Sequence, residues 1–183
     1  MCVDHLGGVV SSTREALPAE LAAPDVEPFR VAVQDALAAY VGETYAPHGV
    51  CAVYGSGGGG AGAALQVTVC LSSAKANLRN FWSGRLGTRW RAEYEPSTGA
   101  VALSGQFDVA VHYCEEGNVQ LRATHRATTS CEARDAASFG TAVAEAIRRA
   151  EGQYFAGLEV RFDSAARRSA DVAHGVCGVT LLD

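Results

Sequence analysis

Apolar residues first fall into a helical rhythm between Pro28 and Tyr45. Phe29, Val33, Leu37, Tyr40 and Val41 recur mostly at spacings of three and four, which places them on one helix face. Pro28 suits a first helical turn, and Pro47-His48-Gly49 ends the pattern. The rhythm then shortens to two. Val50 to Tyr54 reads as a strand, and Leu65, Val67, Val69 and Leu71 alternate with Gln66, Thr68 and Cys70 as a second. In a third, Trp82, Leu86, Trp90 and Tyr94 point one way while Arg85, Arg89, Arg91 and Glu93 point the other. Glu95-Pro96-Ser97-Thr98-Gly99 is turn chemistry. The clearest strand follows. Val101, Leu103, Phe107, Val109, Val111 and Tyr113 share one face; Ala102, Ser104, Gln106, Asp108, Ala110 and His112 share the other. Glu115-Glu116-Gly117-Asn118 predicts a hairpin, and Val119 to Thr129 returns as a fifth strand.

Consecutive strands with short connections predict an antiparallel meander with one buried face. A helix from about Ala136 to beyond Leu158 is its cover, with Phe139, Val143, Ile147, Ala150, Tyr154 and Leu158 inward and Glu145, Arg148, Arg149 and Glu151 outward. The fold class is therefore α+β. Residues 1–27, with Gly7-Gly8, Pro18 and Pro24, read as an irregular lead-in; 28–162 form the sheet-and-helix domain; 163–183 form a short tail.

With 183 residues and 48% hydrophobic content, the chain suits one domain with a real core. A net charge of −5 argues against a general nucleic-acid binder. Cysteines at 2, 51, 70, 114, 131 and 177 fit no zinc framework. Met1 to Val10 lacks a continuous apolar run, so free thiols in a cytoplasmic setting are expected. No stretch approaches the length of a membrane span.

The glycine run Gly57–Gly62 lacks the Gly-Lys-Ser/Thr ending of a phosphate loop and lies between two strands, so it reads as a flexible connector. His5, His48, His112, His125 and His174 have no ligand spacing, and no metal or other cofactor is expected. His112 and His125 can approach across the Glu115–Asn118 hairpin beside Cys114, which is the only enzyme-like grouping; a polar sheet face is the simpler account. Glu93, Asp108, Glu115 and Glu116 form no acid–base pair, so no catalytic residue is assigned. Positive charge gathers at Arg79, Arg85, Arg89 and Arg91, and again at Arg161, Arg167 and Arg168, where an acidic partner would fit.

The run Asn80-Phe81-Trp82-Ser83-Gly84-Arg85-Leu86-Gly87-Thr88-Arg89-Trp90 resembles the N-F/Y-W-x-G-R-x-x-S-x-W signature of the F-actin-capping protein alpha subunits. Val111-His112-Tyr113-Cys114-Glu115-Glu116-Gly117-Asn118-Val119-Gln120-Leu121 is similar to the same family's V-H-Y-Y-E-D-G-N-V-Q-L hairpin. Leu37–Val41, Val50–Tyr54, Ala150–Tyr154 and Asp4-His5-Leu6 add weaker matches, so the resemblance runs from about Asp4 to Tyr154. It implies structural roles for Phe81, Trp82, Gly84, Arg85, Trp90, His112, Tyr113, Glu115, Gly117, Asn118 and Gln120.

The resemblance further implies a sheet continued into a beta-subunit partner. It implies a heterodimer that caps the barbed end of actin filaments without catalysis or cofactor, and occurrence in the dynactin complex. The family's N-terminal helical bundle is mostly missing here. Its basic C-terminal segment is reduced to Arg161, Arg167 and Arg168, the residues expected to meet actin, and Asp171–Asp183 has no Lys or Arg. The alternative is a heterodimeric scaffold in another cytoskeletal assembly with capping weakened or lost.

Overall fold

The computed structural model describes residues 2–4, 9–12, 14–15, 23–57, 64–77, 79, 82–113 and 119–177, with side chains from 14 to 157 within that set, excepting 57 and 119. Two short strands, β1 (Cys2–Asp4) and β2 (Val9–Ser12), pair antiparallel. The irregular lead-in expected there is thus corrected: valine-bearing runs on either side of Gly7-Gly8 carry a hairpin pattern. Helix α1 (Glu27–Thr44) follows. Then come β3 (Val50–Gly57), β4 (Leu65–Asn77), β5 (Trp82–Glu95), β6 (Ala100–Tyr113) and β7 (Val119–Glu132), and last α2 (Ala136–Cys177).

The five-stranded sheet has the order β3-β4-β5-β6-β7, all neighbours antiparallel, as the alternating pattern predicts. Rows of directly paired residues cross it. Val69, Trp90 and Gly105 make one row on the covered face, and Cys70, Arg89, Gln106 and Arg126 make its neighbour on the open face. The turn between β5 and β6 closes with the Gly99 N–H donating to Glu95 O at 2.9 Å.

Both helices lie on the covered face. Val33 and Leu37 of α1 join Val67, Val69, Trp90, Leu103 and Phe107 of the sheet and Phe139, Val143 and Ile147 of α2 in one core. At its start Phe29, Tyr94 and Phe139 meet with ring centroids 5.3–5.5 Å apart. So α1 shares the cover with α2. The helices approach closely because Gly140 has no side chain: a Cβ there would sit 2.5 Å from the Ala32 carbonyl oxygen. Asp135 caps α2 by accepting from the Ser138 N–H at 2.7 Å, and these bonds hold its carboxyl below the usual carboxylate range.

Two expectations for α2 are corrected. The helix continues through Cys177 instead of giving way to a tail, because Ala165-Ala166-Arg167-Arg168 and its neighbours are good helix formers and no proline interrupts them. Glu151, expected outward with Arg148 and Arg149, is fully buried. The expected one-sided stripe misses it because α2 is flanked on one side by the sheet and on another by α1.

Candidate functional site

An 18-residue helix such as α1 spans about 27 Å, whereas a 14-residue strand spans about 46 Å. α1 is therefore shorter than the strands it lies on. Burial fades along β4 after Leu71 and along β6 after Phe107. At the overhanging end Val111, Tyr113 and Leu121 point to the covered face yet each keeps 38% of its surface exposed.

The two signature runs meet at this end. Trp82 pairs with Tyr113, Gly84 with Val111 and Arg85 with Ala110. Val111 in turn pairs with Leu121, and His112 with Gln120. Segments about thirty residues apart in sequence thus become neighbouring rows because β6 returns along β5 in register from the turn that Glu95 and Gly99 close. A cleft of about 640 Å³ crosses the rows, lined by His48, Lys75, Gly84, Arg85, Val111 and Leu121 among others. Trp90 lies far from it, fully buried against Phe107. Phe81, Glu115, Gly117 and Asn118 lie outside the described residues.

The enzyme-like grouping separates. His112 lies on the open face opposite Gln120. His125 faces α2, with the Tyr154 ring stacked on it at 5.0 Å and on Phe107 at 4.6 Å. The expected approach of the two histidines is overturned, because they occupy opposite faces of the sheet; Cys114 lies outside the described residues. No cluster of metal-ligating side chains occurs among the described residues.

Among the described residues Glu151 is the one buried carboxyl, and sequence reasoning missed its role. It accepts from Tyr40 Oη at 2.6 Å and Tyr45 Oη at 2.5 Å through one oxygen, and from Thr88 Oγ1 at 3.2 Å through the other. These donors come from α1, the turn after it, and β5, so one carboxyl joins all three to α2. Burial, then the bond to Glu151, pushes the Tyr40 phenol up to about 12; burial and the nearby carboxyl also push Tyr45 upward. Arg148 closes the outside, its guanidinium 4.9 Å from the Tyr40 ring centroid and 3.2 Å from Glu43.

Arg161, Arg167 and Arg168 fall on the distal part of α2. Positions 161 and 168 are two turns apart and repeat on one side of the helix, with 167 set about 100° away. Other arginines gather on the open sheet face: Arg85, Arg89 and Arg91 of β5 and Arg122 and Arg126 of β7.

The two sheet edges differ. On β3, α1 reaches over the rim: the Val53 N–H donates to Gln34 Oε1 at 3.1 Å, and Arg30 Nη1 donates to Val53 O at 3.4 Å. On β7 no strand pairs on the outer side among the described residues.

A one-sided sheet with two helices on one face and one edge capped by side chains defines an α+β fold. The particular family follows from comparison: the chain belongs to the F-actin capping protein alpha subunits, whose family pattern matches residues 1–169. It is 34% identical over 148 residues to the F-actin-capping protein subunit alpha of Dictyostelium discoideum, covering 81% of this chain and 50% of that protein. It is 30% identical over 163 residues to the Arabidopsis thaliana subunit alpha, covering 87% and 53%. The chain thus spans about half the length of these relatives. The fold is similar to the homodimeric actin capping protein alpha subunit from Plasmodium berghei, with a TM-score of 0.68 at 19% identity over 87% of this chain and 60% of that one.

Proposed function

We propose that this chain is the alpha-type half of a heterodimer that binds the barbed end of actin filaments and blocks subunit addition and loss. The family match over residues 1–169 carries this reading. The beta-type partner adds its sheet at β7, the long edge left open, since an exposed row of unpaired backbone groups is satisfied most directly by another strand. The β3 rim is closed to the same use by Gln34 and Arg30. Arg161, Arg167 and Arg168 meet the acidic filament end. The action is binding alone, without catalysis or cofactor, in the actin cytoskeleton of the cytoplasm.

Co-expression with a capping-protein beta subunit, then barbed-end elongation from preformed actin seeds, tests the reading. A stable heterodimer that stops elongation is expected. Arg161→Ala/Arg167→Ala/Arg168→Ala should weaken capping at least about tenfold while leaving the heterodimer intact, as loss of charge-assisted contacts does. A heterodimer that leaves elongation unchanged moves the function to a scaffold; a chain that pairs only with itself removes the beta partner.

A further inference from the structure

We infer that the open face of the sheet is a second interaction surface, which takes an extended acidic peptide laid along the strands over Arg85, Arg89, Arg122 and Arg126. On this face the cross-strand rows are Arg85–Ala110–Arg122 and Arg89–Gln106–Arg126. Within a row the arginines flank β6 from both sides, about 10 Å apart, and the rows are about 13 Å apart along the strands. Arg91 adjoins the second row, and Arg89, Arg91 and Arg126 ring a cleft of about 390 Å³ that also presents Thr68, Ser104 and Gln106.

These charges are largely unspent. Among the described residues Arg85, Arg89, Arg122 and Arg126 have no ion-pair partner within contact distance, and of the open-face arginines only Arg91 is paired, with Glu93 at 3.0 Å. Asp108 sits between the rows. Its carboxyl accepts from Thr124 at 2.8 Å and from Gln106 at 3.0 Å, and Arg89 lies near enough to attract it. In a chain of net charge −5, such a concentration of unneutralised arginine on one flat face creates a local positive field.

Shape and charge pattern choose the occupant. The basic rows are bounded at one end of the open face by Glu93, Glu95 and Glu132, all exposed. That acidic rim repels a broad anionic surface such as a membrane or a duplex, whereas a single extended strand clears it. Along such a strand, side chains four residues apart share a face and lie about 13 Å apart, which matches the spacing of the rows. Asp108 then faces the residue midway between them. The partner chemistry is therefore acidic residues four apart with an uncharged residue between, read by guanidinium forks. This surface does not depend on how the chain meets actin.

The test is fluorescence anisotropy on the purified dimeric protein, at low and at physiological salt. The ligand is a labelled serine peptide with glutamate at every fourth position, and the control peptide has glutamine in its place. Salt-sensitive binding of the glutamate peptide only is expected. Arg89→Ala/Arg126→Ala should weaken it at least about tenfold, with Arg161→Ala/Arg167→Ala/Arg168→Ala unaffected. Asp108→Asn, an exposed change of nearly the same shape, should tighten binding severalfold by removing the opposing carboxylate. This arm holds whether or not the arginine variant folds. No binding at low salt, equal binding by the arginine variant, no tightening by Asp108→Asn, or a preference for phosphatidylserine vesicles over the peptide would each overturn the proposal.

Discussion

Glu151→Ala is expected to lower the stability of the fold by about 3–5 kcal/mol. The carboxyl is fully buried and is the common acceptor for Tyr40, Tyr45 and Thr88. Removing it leaves these hydroxyls without their acceptor and opens a void between α1 and α2. Each buried orphan costs about 1–3 kcal/mol, and the void adds to that. Glu151→Gln keeps the shape and one carbonyl acceptor, so about 1–2 kcal/mol is expected. Combining Glu151→Leu with Tyr40→Phe, Tyr45→Phe and Thr88→Val should recover most of the loss, because apolar groups of similar shape replace both sides of every bond. Urea unfolding at matched protein concentration measures all of these; an alanine variant within about 1 kcal/mol of the parent would remove Glu151 from the centre of the packing.

The same cluster sets an alkaline limit. The Tyr40 phenol is pushed up to about 12, by burial first and the Glu151 bond second, and Tyr45 is also raised. In the unfolded chain both titrate near about 10. Between these values the folded state holds protons that the unfolded state has released. The contribution is complete below about pH 10 and is lost as pH rises toward about 12. Tyr45→Phe should flatten that decline in an unfolding series over the alkaline range, at the cost of a lower plateau near neutrality.

How much of this was legible follows from which contacts are local. The α1 face Val33-Leu37-Tyr40-Val41 and the alternation of β5 and β6 are written in neighbouring residues, and the structure buries that α1 face with Trp90, Tyr94, Val101, Leu103 and Phe107 of the alternating positions. Glu151 was not legible from one amphipathic stripe. A helix touching two neighbours carries two stripes, and Gly140, Ala144, Ile147 and Glu151 form the second at spacings of three and four. Small residues at its start, where α1 crosses closest, were the available signal. The clustering of Arg85, Arg89 and Arg91 was visible along one strand. Their union with Arg122 and Arg126 depends on the cross-strand register of β6 and β7. The shared end of the two signature runs required the β5–β6 register instead. The continuation of α2 past Phe162 is carried by the alanine-rich run after it, which Gly175 and Gly178 mask in a reading by turn residues.

Gly105→Val is expected to destabilise the fold by about 3 kcal/mol, although valine is the better strand former. Gly105 pairs directly with Trp90, and the indole lies across the place where a side chain would be; a Cβ there would come within 2.6 Å of Trp90 Cδ2. The ring cannot tilt away, because Phe107 meets it edge-on at 5.4 Å and 84°, and both rings are fully buried. Trp90→Ala alone should cost about 3–5 kcal/mol through the cavity it leaves. The two changes are complementary in volume, so Gly105→Val in a Trp90→Ala background meets space instead of a ring and gains the ordinary strand preference. Unfolding of the four proteins of the cycle should give a coupling of at least about 1 kcal/mol in the favourable direction. Strict additivity would mean that the strand bends to admit the new side chain and that Trp90 does not hold Gly105 in place. The strongest constraint on this row of the sheet is then a residue pair, one of them a glycine that alternation alone marks only as an inward position with nothing to bury.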